Sequence, residues 1–183
     1  MRFALFIAGL VALSACGGSG EADRVYAPGL AQRGDTEDQL VVGHRLMAAG
    51  QYELALDAFT RAAGDQGFNA DTLSALGSAN LRLGRLNQAE DLLRRAVEEE
   101  PDFAEAWNNL GVILMEQGQT GEAAQIFRRA FATSNGESLV IRDNLRLALA
   151  KLDDPGYSDS EDTSDFRLVQ RGGGQFLLTR EDP

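Results

Sequence analysis

The chain has 183 residues and is acidic, with 17 lysines and arginines against 28 aspartates and glutamates and a formal net charge of -11. This charge argues against binding to nucleic acid, or to anionic lipid, by electrostatic attraction. The single cysteine excludes an intramolecular disulfide and a cysteine metal site. The length is sufficient for one domain with a sizeable core.

The first residues have the pattern of a targeting segment. Arg2 precedes an apolar stretch, residues 3–13, that is too short to span a bilayer as a stable helix. The stretch ends in Leu13-Ser14-Ala15-Cys16, which resembles a bacterial lipobox. We therefore expect residues 1–15 to be a lipoprotein signal peptide and Cys16 to be lipidated. An ordinary secretory signal that happens to contain Cys16 is the alternative.

Residues 16–35 are predicted to be the lipidated cysteine and a flexible tether, because they are rich in glycine and show no apolar periodicity. Gly17 stands where the sorting rule of well-studied Gram-negative bacteria would need aspartate for retention at the inner membrane. That resemblance implies an outer-membrane lipoprotein facing the periplasm.

Residues 36–137 repeat with a period of 34 residues. A repeat of this length is a helix–turn–helix unit that buries its apolar face by stacking on its neighbours. We predict repeats at 36–69, 70–103 and 104–137, with helices near 37–49, 53–64, 70–83, 87–99, 103–117 and 121–133. The recurring columns are Gly43, Gly77 and Gly111; Gly50, Gly84 and Gly118; Ala55, Ala89 and Ala123; Phe59, Leu93 and Phe127; and Ala62, Ala96 and Ala130.

The columns predict the local geometry. The small residues of the first column should lie where the two helices of a unit cross, with the large residues of the fourth column beside them. The second glycine column should end the first helix of each unit in a left-handed conformation. Asn87-Gln-Ala-Glu90 has the spacing of a capping box at the start of a helix.

The third unit carries the clearest family pattern, in Trp107, Leu110, Gly111, Leu114, Ala123, Phe127 and Ala130. It resembles the tetratricopeptide repeat (TPR). The resemblance implies an all-α fold, a right-handed α-solenoid of three TPR helix–turn–helix repeats. Residues 138–152 are predicted to add a C-terminal capping helix, with Leu145, Leu149 and Leu152 on its apolar side.

Residues 153–183 are predicted to be an acidic linker and a short tail. Residues 153–165 contain six acidic residues and no basic one, which predicts disorder. Two short apolar runs, 166–170 and 175–179, flank Arg171 and three glycines. This pattern favours a β-hairpin that docks on the repeats or adds to a partner's sheet. An unstructured tail is the open alternative.

No motif for catalysis is present. The sequence lacks a phosphate-binding loop, a G-x-S-x-G motif and an HExxH motif, and its only histidine, His44, has no second ligand at a metal-binding spacing. We therefore expect no catalytic residue, metal site, cofactor or small-molecule substrate. A column of arginines, at positions 61, 95 and 129, forms either a binding stripe or the ordinary basic outer face of the helices.

The TPR resemblance implies that the first helix of each repeat lines a concave groove. Met47, Leu81 and Met115 would form an apolar column there, suited to peptides or helices because methionine is adaptable. Packing within the array is the alternative explanation of that column. The predicted partner-binding groove comprises Leu40, His44, Met47, Ser74, Ser78, Leu81, Asn108, Val112 and Met115.

The whole layout is similar to the small TPR lipoproteins of Gram-negative envelopes, especially the TadD-type lipoproteins of Flp (tight-adherence) pilus assembly, and to the pilotins of type IV pili. This resemblance implies a non-enzymatic, outer-membrane-anchored adaptor or scaffold for protein partners such as secretin or pilus assembly components. The alternative is an adaptor for peptidoglycan hydrolases or outer-membrane protein assembly. An enzyme that uses His44 is a third hypothesis.

Overall fold

A computed structural model describes residues 37–153, 166–171 and 174–180. The predicted signal peptide, the tether and nearly all of the acidic linker lie outside these residues. Helices make up residues 39–153 except for short connections. They are α1 (Gln39–Ala48), α2 (Tyr52–Gln66), α3 (Ala70–Arg82), α4 (Leu86–Glu99), α5 (Ala104–Glu116), α6 (Thr120–Thr133) and α7 (Leu139–Asp153).

The helices stack as a repeat solenoid. Each helix packs against the next one in the chain, and α1, α3, α5 and α7 also contact one another in sequence. This arrangement confirms the predicted all-α array of three helix pairs followed by one more helix. Each predicted helix boundary lies within two residues of the observed one.

The predicted crossing glycines touch the neighbouring helix. A β-carbon on Gly111 would lie 2.6 Å from the Phe127 ring, and one on Gly77 would lie 2.7 Å from Leu93. A β-carbon on Gly43 would overlap the Phe59 ring. All three large side chains are fully buried. The 34-residue columns therefore record close helix crossings, as predicted.

The connections between helices follow the second glycine column. Gly50, Gly84 and Gly118 have φ angles of 73°, 70° and 76°, and each lies just after the first helix of its unit. These left-handed conformations suit glycine because it has no β-carbon. The prediction for this column is confirmed.

The predicted capping box is wrong. Helix α4 begins after Arg85, whose side chain makes no capping hydrogen bond, so Asn87 lies inside the first turn. Side-chain caps occur elsewhere: Asp38 accepts from the Leu40 N–H at 2.9 Å, and Asn69 accepts from the Thr72 N–H at 2.9 Å. The spacing of a capping box does not by itself fix where a helix starts.

The predicted apolar side of α7 is only partly right: Leu145 and Leu149 are half-buried and pack against the core, but the most buried positions lie beside them. Ile141, Asn144 and Ala148 are its buried residues, whereas Leu152 is 45% exposed. Asn144 lies at the centre of this buried face. Its side chain can be buried because the tail that follows the helices supplies polar partners for it.

The tail contains the β-hairpin. Strands β1 (Phe166–Gln170) and β2 (Phe176–Arg180) pair in antiparallel orientation, with Leu168 opposite Leu178 and Gln170 opposite Phe176. Strand β2 contacts α5 and α7. Of the predicted arrangements for these residues, the structure contains the hairpin docked on the repeats.

Candidate protein-binding groove

The predicted groove and the hairpin lie on the same side of the solenoid. The first helices of the repeats, α1, α3 and α5, carry all nine predicted groove residues, and α7 continues their row. Strand β2 lies against the last two helices of this row. The C-terminal half of the predicted groove therefore already holds an extended segment, which belongs to the same chain.

Three asparagines bind the backbone of β2. Asn108 and Asn144 each donate from Nδ2 to the Phe176 carbonyl, at 3.0 and 2.7 Å. The Oδ1 atom of Asn144 accepts from the Leu178 N–H at 2.9 Å. Asn109 accepts from the Phe176 N–H at 3.2 Å and donates to the Gly174 carbonyl at 2.8 Å.

The asparagines also bind one another and α3. Asn144 donates to Asn108 Oδ1 at 2.8 Å, Asn108 donates to Asn109 Oδ1 at 3.1 Å, and Asn109 donates to Ser78 Oγ at 3.1 Å. All three asparagines are 1% exposed or less. Buried amides are costly unless their donors and acceptors are paired. This network pairs them with backbone atoms of β2 and with each other.

The network recognises main chain and not side chain. An asparagine amide offers one acceptor and two donors, so it can bind the N–H and the C=O of an extended segment as a neighbouring strand would. The Phe176 and Leu178 side chains are buried in the same apolar cluster as residues of α3 and α5. This part of the groove thus combines backbone recognition with an apolar surface.

The N-terminal half of the predicted groove is open. A cavity of about 350 Å³ is lined by four predicted residues together, and by acidic side chains of α3 and α5. The predicted residues are Leu40, His44, Ser74 and Ser78; the acidic residues are Asp71 and Glu105.

His44 lies at the rim of this cavity. As a whole residue it is exposed, but its ring packs edge-on against Phe59, with 5.1 Å between the ring centroids. Desolvation by these surroundings lowers the pKa of His44 from its ordinary value of 6.5, while the charges of Asp71 and Asp38 act in the opposite direction. The described residues contain no group of three or more His, Cys, Asp or Glu side chains that could hold a metal ion.

The geometry of a TPR array agrees with the sequence comparison. The family model described as tetratricopeptide repeat matches residues 42–100 and 74–137, which together span more than half of the chain. The chain belongs to the tetratricopeptide repeat family. No curated protein matches the chain.

Solved TPR domains share the fold. The Sgt2 TPR domain from Aspergillus fumigatus is 21% identical, with a TM-score of 0.62 over 74% of this chain and 89% of that one. The first TPR of Spaghetti (RPAP3), bound to an HSP90 peptide, is 20% identical, with a TM-score of 0.58 over 63% and 91%. The yeast Sti1 TPR2B domain, in complex with an Hsp70 peptide, is 18% identical, with a TM-score of 0.59 over 63% and 96%. These likenesses establish the fold alone.

The predicted apolar column of this TPR protein is not a free surface. Met47, Leu81 and Met115 are only 2%, 4% and 2% exposed, and Val112 is fully buried. They belong to one apolar cluster with Phe176 and Leu178 of the hairpin. The expectation of an accessible apolar column is therefore wrong, because packing within the array and against β2 covers it. A role for these positions in binding a partner stays a prediction.

The arginine column packs on neighbouring side chains. Arg95 lies over the Phe68 ring at 5.6 Å and Arg129 over the Trp107 ring at 5.8 Å, while Arg61 donates to Gln39 at 3.0 Å. The contacts of Arg61 and Arg129 join the two helices of a TPR unit, and the contact of Arg95 joins α4 to the connection between α2 and α3. They account for the column through packing.

Sequence reasoning placed Asn108 in the groove but missed Asn109 and Asn144. A signal was present, because asparagine is disfavoured inside helices and needs a reason to be there. Both residues lie well inside α5 and α7, away from the helix ends. A buried asparagine in a helix needs a polar partner, and for Asn109 and Asn144 that partner is the backbone of the tail.

Proposed function

We propose that this TPR protein is a lipid-anchored adaptor of the bacterial envelope that binds an extended segment of a protein partner on its groove side. The observation that supports the proposal is the asparagine network, which holds β2 by its backbone. A surface that binds one extended segment through main-chain groups has the chemistry to accept extended protein segments in general.

The open half of the groove gives the partner room. Leu40, His44, Ser74 and Ser78 line a cavity beside the docked hairpin. The lining includes both apolar and polar side chains, so it offers contacts of both kinds to a bound segment. The solved relatives whose names include Hsp90 or Hsp70 peptides are TPR domains of the same fold.

A site-specific cross-linker tests this binding surface. A photoreactive residue in place of His44 should cross-link a protein partner in the envelope, because this position lies at the open rim. The same residue in place of Glu98, exposed on α4, is the matched control. Cross-linking only from position 98 would move the partner to the other side of the array and refute the proposal.

The anchor rests on the lipobox-like sequence that ends at Cys16. Three acyl chains on an N-terminal cysteine would hold the protein in the outer membrane. Within the part of the chain that the structure describes, no helix is long and apolar enough to cross a membrane. Cys16→Ser should shift the protein from the outer-membrane fraction to the soluble periplasmic fraction. Ser19→Ala should not, and an unchanged distribution for the cysteine variant would refute lipid anchoring.

The assembly served is proposed to be a Flp/Tad-type pilus or a related secretion complex, on the resemblance of the whole layout to TadD-type lipoproteins. Affinity purification from cross-linked membranes tests this assignment. Recovery of a secretin or of pilus assembly components would support it. Recovery of peptidoglycan hydrolases or of subunits for outer-membrane protein insertion would replace it with the alternative adaptor role.

A further inference from the structure

Strand β1 has an outer edge that faces away from β2. In an antiparallel pair, the backbone N–H and C=O groups of successive residues point alternately toward the partner strand and away from it. The backbone groups of Phe176 and Leu178 point away from β1, and the asparagines bind them there. Gln170 and Leu168 are their register partners on β1. The backbone groups of these two residues therefore point away from β2, along the outer edge of the hairpin.

Within the described residues, most of this edge has no hydrogen-bonding partner. The Leu168 carbonyl accepts from Arg82 Nη1 at 3.0 Å. The Leu168 N–H and both backbone groups of Gln170 have no hydrogen bond to the described part of the chain. An unpaired row of outward backbone groups is a template for another strand. The edge is therefore competent to extend the two-stranded sheet.

A cavity lies beside this edge. It has a volume of about 1050 Å³ and separates β1 from the end of α1, with Tyr52 and Arg82 also in its wall. Sites that bind ligands in proteins commonly enclose about 300–1,000 Å³. Arg82 contacts both β1 and the cavity wall. Besides its bond to β1, it donates to the Tyr52 hydroxyl, and its guanidinium carbon lies 4.5 Å from the centre of the Tyr52 ring.

The charge of the cavity is opposite to that of the chain. Arg82, Arg167 and Arg171 line it, and none of its described lining residues is acidic. The chain as a whole has a formal net charge of -11. Arg167 and Arg171 are exposed, and an even spacing of four residues puts both on the same face of the extended segment. The acidic residues Asp71 and Glu105 line the smaller cavity next to it. A negative ligand is therefore favoured at β1 specifically.

We propose that the outer edge of β1 binds an extended acidic segment of the protein partner as a third strand. The backbone of the segment pairs with Leu168 and Gln170, and its carboxylates contact the arginines of the cavity. This inference rests on the proposed adaptor function and specifies the chemical class of the partner segment.

Peptide binding to the full-length chain tests the inference. The probe is a ten-residue peptide of alternating glutamate and valine. Two matched peptides serve as comparisons. In the first, glutamine replaces every glutamate; in the second, alternate backbone nitrogens carry a methyl group. Calorimetry should show that each change weakens binding at least tenfold. Equal binding of the methylated peptide would overturn strand addition, and failure of the acidic peptide to bind at millimolar concentration would overturn the site.

Two pairs of variants separate the site from general charge. Arg167→Glu with Arg171→Glu should weaken binding of the acidic peptide at least tenfold. Arg85→Glu with Arg128→Glu changes the net charge equally at exposed positions away from the cavity and should leave binding within twofold. An equal loss in both pairs would overturn the inference by assigning binding to the overall charge.

Amide hydrogen exchange locates the bound peptide. Binding should slow exchange at Leu168 and Gln170 and leave Leu178 unchanged. Faster exchange at Leu178 would mean that the peptide displaces β2 from the asparagines, which overturns edge binding but retains a groove that accepts protein segments. His44 lines both cavities, so cross-linking from position 44 tests the adaptor function whether or not the partner segment lies at the edge of β1.

The chain's own acidic residues are the competing occupant of the edge. Substituting Asp159, Glu161 and Asp162 with their amides should leave peptide affinity within twofold. A tenfold gain in affinity would assign the edge to this segment and overturn the assignment to a partner.

Discussion

Asn144 of α7 binds Leu178 of β2 through the main chain: its Oδ1 atom accepts from the Leu178 N–H at 2.9 Å. Its Nδ2 atom donates to the Phe176 carbonyl at 2.7 Å. One side chain thus pairs with a donor and an acceptor on successive outward residues of the strand. Asn144 therefore contributes to docking the hairpin as well as to filling α7's buried face.

Asn144→Ala should release the hairpin from α7. The change removes three hydrogen bonds and leaves the Leu178 N–H and the Asn108 Oδ1 atom unpaired, at a cost of about 1–3 kcal/mol per unsatisfied group, while the Phe176 carbonyl keeps its bond from Asn108. Amide exchange at Leu178 should become faster. Asn80→Ala is the control, because Asn80 donates to the Leu76 carbonyl of its own helix at 2.8 Å. Unchanged protection of Leu178 in the Asn144 variant would contradict this role.

Gly111→Ala should destabilise the array. Its β-carbon would meet the Phe127 ring at 2.6 Å, and overpacking of this kind costs about 1–3 kcal/mol. Gly64→Ala is the matched control within a helix, since a β-carbon there meets nothing within 4 Å. That change should stabilise the protein by about 0.5–1 kcal/mol through helix propensity. Urea unfolding measures both values, and equal shifts would contradict a close crossing at Gly111.

Phe176→Ala should detach the hairpin while leaving the helices folded. The Phe176 side chain is fully buried, and truncation of such a ring costs about 3–5 kcal/mol where the site cannot collapse. Leu177→Ala, at a half-buried position on the other face of the strand, should cost less. Far-UV circular dichroism should show unchanged helix in both variants. Loss of helix together with the hairpin would show that the array needs β2 to fold.

Glu116→Gln should stabilise the protein at neutral pH. Burial raises the pKa of Glu116 from its ordinary value of 4.5, although Lys151 opposes the shift. The folded state therefore holds the proton more tightly than the unfolded state, and stability falls as pH rises from 4.5 through the folded pKa. Glutamine avoids this loss because it carries no charge.

The pH dependence provides the check on Glu116. The gain in melting temperature over wild type should be present at pH 7 and disappear below pH 4.5, where the carboxyl is protonated in both states. Glu99→Gln, at the exposed end of α4, makes the same change in net charge. A gain at pH 7 that is equal in both variants would assign the effect to net charge.

The sequence predicted the array because its determinants are local and periodic. Gly111 and Phe127 are sixteen positions apart within one repeat, and the same pair recurs in each unit with small changes. Glycine is needed wherever two helices cross closely, so the columns indicated the helix pairs and their turns. The hairpin was also visible, since two short apolar runs flank its glycines.

The occupation of the groove by β2 could not be predicted in the same way. Asn109 and the Gly174 carbonyl are in contact although 65 positions separate them in the chain. Periodicity shows which face of a helix a residue such as Met115 occupies, but it does not show what covers that face. The sequence therefore placed Met115 in the groove and could not reveal that the cluster containing β2 buries it.

The order of elements along the chain has a consequence for biosynthesis. The helices that carry Asn108 and Asn144 precede β2, so they leave the ribosome before it does. Until β2 follows, these amides lack their bonds to the strand backbone, and the apolar residues that β2 covers face solvent. The nascent repeats thus pass through a stage in which the groove is unoccupied and exposes apolar surface. The tail of the same chain then covers it.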